Sequence, residues 1–273
     1  MTRPAATRPA AVAGVFYPAD PEQLAADVDA LLAATSMPQD EPEALAVVSP
    51  HAAYRYSGQV AATAYRRLAS RRGSVRRAVV LGPAHFTLVH GMALPGWGAF
   101  ETPLGAVAVD EPASAIAAAL PGVVISDAAH DREHSIEVQL PLLQRALGME
   151  VTVVPVVVGA VAAELVANLI NALWQDESTV IVVSTDLSHY HDHATAGRRD
   201  RRTAEAIVRR DPDGIGEHDA CGCRPLRGLL DFARRRDLDV RLLDLRTSGD
   251  TAGGRSRVVG YGAFGVYAQP TRL

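Results

Sequence analysis

The chain has 273 residues, 48% of them hydrophobic and 21% charged, with a formal net charge of −4. That balance supports a sizeable core, excludes an intrinsically disordered chain, and leaves no basic footprint for a nucleic-acid partner. Every strongly basic residue is arginine, and with alanine and valine so abundant this reads as the residue bias of a GC-rich genome. The N-terminus carries Arg3 and Arg8 but only a short Ala/Val run broken at Pro18, so it reads as mature sequence and the cytoplasm is the expected compartment. Apolar runs at 44–48, 76–82, 151–158 and 179–184 read as buried strands. Their near-continuous apolar character suits parallel strands covered on both faces. The run at 151–158 is far too short to span a membrane, and no membrane partner is expected. Helical periodicity appears over 58–70, 135–147, 162–174, 194–210 and 225–236, with Ser57 as a candidate N-cap and Pro225 in a first turn. Residues 240–248 and 257–268 read as two closing strands, the second an edge or tightly packed strand because of its glycines. Residues 91–127 suggest a strand pair around GMALPGWGAF and GAVAVD. No repeat or composition break divides the chain. The expectation is one domain over 1–273, a three-layer α/β/α sandwich on a central, mostly parallel, mixed sheet.

In such sheets ligands bind beyond the carboxyl ends of the strands. Here ALAVV is followed by SPHAAYRYSG with His51, RRAVVLG by PAHF with His85, and TVIVVS by TDLSHYHDH with Asp186 and His189. One such histidine is unremarkable in a chain with nine, but three after separate parallel strands would converge in one crevice. A further segment, AAHDREHSIEVQL, sets His134 and Ser135 at a helix start and Glu137 in its first turn. Its His130-Asp-Arg-Glu133-His134 order is wrong for the zinc-protease helix, which needs glutamate directly after the first histidine. Glu133 and Glu137 are equally readable as helix-start charges or as site groups. Cys221 and Cys223 are the only cysteines. A bridge two residues apart would be strained, so a ligand or free thiol is expected, and a thiol before a helix would have its thiolate favoured. The basic clusters at 71–77, 197–202 and 233–241 read as solvated helix ends. No serine elbow, phosphate loop or dinucleotide fingerprint is present. Histidines joined by a carboxylate or thiolate point to a metal site while leaving iron, copper and zinc open.

RPAAVAGVFYP, SPHAAYRYSG, LGPAH, TPLGAVAVD, EHSIEVQLPLL, VVSTDLSHY, ACGCRP, TSGD and VVGYGAF occur in that order. Together they resemble the motifs of the Memo-like family, known in prokaryotes as AmmeMemoRadiSam system protein B, over almost the whole chain. The resemblance implies a fold similar to the class III extradiol ring-cleaving dioxygenases. It also implies a single metal ion, iron first and copper or zinc next, held by His51, His85 and Cys221, the cysteine standing where those dioxygenases have glutamate. His189 matches their acid or base, and Asp186 and His134 match polar residues of the same cavity. Two departures stand out: Ala53 replaces the usual glycine of HAGY, and Phe86 replaces the second histidine often seen after the metal-binding one. Cys223 belongs to no family motif. The vertebrate relative resembles an adaptor for phosphotyrosine peptides with a metal-linked redox role. Prokaryotic members accompany a radical-SAM protein and a third partner.

Three functions follow as expectations. The first is metal-dependent redox or oxygen-related chemistry on an unknown substrate, with His189 moving protons and Tyr54, Tyr56 and Glu137 shaping the cavity around the bound group. The second is a non-catalytic metal-, anion- or peptide-binding module in which Arg55 or Arg224 meets an anion. The third is a zinc hydrolase with His189 or Glu137 as base.

Overall fold

The computed structural model describes residues 6–36 and 42–269; Arg3 lies outside them. The strands are β1 (Thr7–Arg8), β2 (Ala46–Ser49), β3 (Arg77–Pro83), β4 (Met92–Leu94), β5 (Ala99–Phe100), β6 (Val107–Ala108), β7 (Val123–Ile125), β8 (Thr152–Val158), β9 (Thr179–Ser184), β10 (His189–His191), β11 (Asp239–Thr247) and β12 (Val258–Tyr267). The helices are α1 (Pro21–Ala33), α2 (Tyr54–Leu68), α3 (Glu111–Ala118), α4 (Asp127–His130), α5 (His134–Glu137), α6 (Gln139–Leu147), α7 (Ala163–Leu173), α8 (His193–Val208) and α9 (Cys223–Arg235). The main sheet runs β10-β12-β2-β9-β3-β8-β4-β7, with β11 on β12. Its centre, β2-β9-β3-β8, is parallel, while β12 and β4 run antiparallel to it, giving the expected mixed α/β architecture. No helix among the described residues is long and apolar enough to cross a membrane.

The period of two along the central strands divides the core between the two faces. Val47, Ala78, Val80, Val153, Val157, Val180 and Val182 pack toward α1, α2 and α6. Their neighbours Ala46, Val48, Val79, Leu81, Val154, Val156, Ile181 and Val183 pack toward α3, α7, α8 and α9. Both faces are covered, which is why these strands read as unbroken apolar runs.

Several boundaries differ from the sequence reading. Helix α2 begins at Tyr54, a turn before residue 58, because the Tyr54 N–H is taken by the Phe16 carbonyl at 2.8 Å. Ser57 therefore lies inside the helix and is no N-cap; its hydroxyl donates to the Ala52 carbonyl at 2.9 Å. The helix expected over 135–147 breaks at Val138 into α5 and α6. Pro141 has no N–H for the Glu137 carbonyl and is tolerated in the first turn of a new helix. In the 91–127 region β5 and β6 do pair antiparallel, but β4 leaves to join β8 and β7. Strand β12 is interior and tightly packed, not an edge: a Cβ on Gly260 would collide with the Asp200 carboxylate. Arg71 departs from the solvated basic clusters, buried with its guanidinium on the Ala44 and Glu177 carbonyls.

Candidate metal centre

Three adjacent strands deliver the site. Strand β9 lies between β2 and β3. Ser49 of β2 pairs with Ser184 of β9, so these two strands end level. Counting two residues past each end gives His51 after β2, His85 after β3 and Asp186 after β9. Asp186 joins the first of these to its own strand by accepting the His51 N–H at 2.8 Å.

The hydrogen bonds on the far side of each ring settle its tautomer. The Ser184 hydroxyl donates to the Ser135 carbonyl at 2.5 Å and accepts from Gln139 Nε2, so it can only accept from His51 Nδ1 at 2.8 Å. His85 Nδ1 lies 2.9 Å from Glu133 Oε1, and that carboxylate also accepts the backbone N–H groups of His85 and Ser135. Burial opposes the charge on Glu133, but the His85 bonds and the two amides outweigh it and hold the carboxyl at about 2. An ionised carboxylate is acceptor only, so His85 Nδ1 carries the proton. With Nδ1 spent on these anchors, Nε2 is the ring nitrogen left for the site, and in a neutral ring it carries the free lone pair. Burial, and then the neighbouring histidines, push His51 well below its ordinary range, so the ring is neutral.

Cys221 completes the cluster. Its Sγ lies 3.3 Å from His51 Nε2, and one ligand atom each of His51, His85 and Cys221 fall within 4.8 Å of one another. The Asp186 N–H points at the sulfur at 3.3 Å. Gly222 allows the cysteine loop to close on the end of β9, since a Cβ there would stand 2.7 Å from the Ser184 carbonyl and from Thr185. The expectation of a thiolate favoured by a helix start is corrected: α9 begins only at Cys223, and burial, then the Asp186 charge, push the Cys221 thiol up to about 12. A bound cation reverses that balance. Two imidazoles anchored through Nδ1 and a thiol, converging from three loops, fit a soft-to-borderline transition metal.

The donors stand between two cavities. His51 and His85 line one of about 650 Å³, together with His134, Asp186, His189, Tyr56 and Tyr261. His85 and Cys221 line another of about 410 Å³, with Cys223 and Arg224. His134 stacks on His85 with centroids 4.8 Å apart, and burial lowers its proton affinity. His189 Nδ1 donates to the Leu187 carbonyl at 2.8 Å, leaving Nε2 as its acceptor. Burial pushes the Asp186 carboxyl up to about 6, against the pull of the His51 N–H and the His189 and His85 rings.

Two expected cavity residues stand elsewhere. Glu137 is fully buried and spent on Arg8, the Ala11 and Val12 N–H groups and the Tyr17 hydroxyl, so it neither lines the histidine cavity nor serves as a base there. Tyr54 donates its hydroxyl to the Val138 carbonyl at 2.8 Å and lines a separate groove of about 670 Å³. Arg224 is paired with Glu217 at 2.6 Å. Cys223 is buried and outside the donor cluster. Phe86 packs edge-on against His85 and His134 and carries Arg132 over its ring, making that flank apolar. Ala53 has φ −56° and ψ 140°, which any residue adopts, so the glycine it replaces is not needed here. Sequence reasoning left Glu133 undecided and missed Ser184. The signal for Ser184 was a polar residue closing an apolar strand run.

The sequence model described as Memo-like protein matches residues 8–265. Curated relatives are similar over nearly their full length. The MEMO1 family protein of Methanopyrus kandleri is 37% identical, covering 94% of this chain and 98% of its own. That of Sulfolobus acidocaldarius is 35% identical over 92% and 96%, and that of Ignicoccus hospitalis 36% over 94% and 97%. With its ordered motifs and mixed α/β sheet, the chain belongs to the Memo-like family.

Proposed function

We propose that His51, His85 and Cys221 hold a single metal ion, iron or copper, and that the protein carries out redox or oxygen-related chemistry on a small organic molecule. The observation that carries this reading is the anchoring of both imidazoles through Nδ1, by Ser184 and by Glu133, so that both Nε2 atoms are free beside the Cys221 sulfur. A metal held by three protein donors would supply Lewis acidity and electron transfer with coordination positions left open. His189 Nε2 takes or returns a proton at the cavity wall, and Asp186, with its raised proton affinity, is the second proton holder. The thiolate, in the place of a carboxylate, would shift the metal's potential and is itself oxidisable, which separates this chemistry from ring cleavage. Partners by resemblance are a radical-SAM protein and a companion protein in the cytoplasm.

Elemental analysis of protein purified without added metal tests the reading. One equivalent of iron or copper is expected in the natural protein, with little in His51→Ala and Cys221→Ala. Zinc at one equivalent, with no spectral change on reduction, selects the hydrolytic alternative with His189 as base. No bound metal in the natural protein after reconstitution overturns both.

A further inference from the structure

The larger cavity has a feature that metal binding does not use. Arg55 and Arg257 both line it and are exposed to solvent. Arg55 lies over the Tyr56 ring at 4.5 Å, and Arg257 over the Tyr190 ring at 4.6 Å. Neither guanidinium has a carboxylate partner among the described residues, whereas Arg199, Arg224 and Arg246 each do. Among the described residues the only acid lining this cavity is Asp186, which is itself buried.

Two further observations point the same way. Tyr190, which carries Arg257, is held at φ +63° while 63% exposed, where the pairing of β10 with β12 slips between His189 and His191. A bulky residue in the left-handed region is strained, and such strain persists where the surroundings impose it, often at ligand sites. Helix α2, 15 residues long, begins with no side-chain cap, and its N-cap Ala53 and the first-turn residues Arg55 and Tyr56 also line the cavity. Its N-terminal dipole adds to the positive field of the arginines.

We infer that the open end of this cavity is a subsite for a small organic anion, whose carboxylate or phosphate group is held by Arg55 and Arg257 while its remainder runs between Phe16, Tyr56 and Tyr261 toward His189. The assignment deepens the function proposed above and rests on this cavity being the substrate site, whichever metal the donors hold. Guanidiniums stacked on rings are pre-ordered and keep their N–H edges for an oxyanion.

The test measures binding of benzoate, phenyl phosphate and neutral benzamide to the whole chain by calorimetry, at low and high salt. The same titrations are run on Arg55→Gln, Arg257→Gln, the double variant and, as a surface-charge control, Arg202→Gln, an exposed position of α8 outside the cavity lining. Both anions, or one of them, bind the natural protein and benzamide does not; which anion binds names the group. Each cavity variant weakens binding about tenfold and the double variant about a hundredfold or more, as expected for partly exposed charge-assisted hydrogen bonds. Arg202→Gln leaves affinity unchanged. Equal binding of benzamide, unchanged binding in the double variant, an equal loss in Arg202→Gln, or no anion binding to the natural protein each overturns the assignment. Metal content is read on the same samples: a protein that binds the anion but no metal defeats the metal reading and leaves the anion subsite standing.

Discussion

Glu133 and Glu137 lie one helical turn apart and are both buried, yet they belong to regions with opposite logic. Glu137 faces a permanent cation: Arg8, fully buried, donates to it at 2.6 Å and also holds the carbonyls of His130 and Glu133. Glu133 faces a titratable ring on a cavity wall, where His85 keeps a quarter of its side-chain surface exposed. The first region is closed, and every bond in it ties the N-terminal segment to the fold. The second is open, and its bonds leave the Nε2 atom of each imidazole unused. A buried carboxylate alone does not mark a site; its partner's remaining chemistry does.

The comparison breaks if disturbing the anchor strips the metal, or if disturbing the donors unfolds the chain. Arg8→Met leaves Glu137 charged and uncompensated, and should cost about 3–5 kcal/mol in urea denaturation, the range for removing one partner of a buried ion pair. Protein that remains folded should still bind metal; loss of metal first would merge the two regions. His130 sharpens the anchor side. Its Nε2–H donates to the Ala93 carbonyl, and burial lowers it to about 4. Below its ordinary 6.5 the unfolded chain binds a proton that the folded one refuses, so stability rises with pH across this window and is lost as pH falls from 6.5 toward about 4. The loss is on the order of 3 kcal/mol. His130→Gln should be flatter than the natural protein over that window by this amount in denaturation midpoints.

On the donor side the effects move to metal affinity. Glu133→Gln keeps the shape but can no longer hold His85 as an ionised acceptor, and should weaken metal binding by about 10–100-fold in competition titrations. A fall in denaturation stability with metal affinity unchanged would make Glu133 merely structural, like Glu137. Ala53→Gly is the smallest change. Glycine caps a helix better than alanine but loosens the unfolded chain, and these oppose each other, so stability should stay within about 0.5 kcal/mol of the natural protein. Metal content should not move.

The central strands were legible because they are covered on both faces, and His51, His85 and Asp186 because each follows such a run at a short distance. Ser184 was hidden: a serine closing a strand looks like an ordinary turn residue, and only its bond to Ser135 shows which way it points. Glu137 misled for a related reason, since its partner Arg8 lies 129 residues away in sequence. Tyr54 stood close to His51 in sequence, but the early start of α2 turned its hydroxyl toward Val138 and away from the cavity. The break at Val138 was readable from Pro141. Helix α1 has its own signal in Asp20 before Pro21: the Asp20 carboxylate accepts the Gln23 N–H at 2.8 Å.

X-ray absorption at the edge of the bound metal, on protein reconstituted with one equivalent, tests the central claim most directly. A single sulfur at about 2.3 Å with two imidazole nitrogens is predicted, the sulfur disappearing in Cys221→Ala. A nitrogen and oxygen shell without sulfur in the natural protein would contradict it.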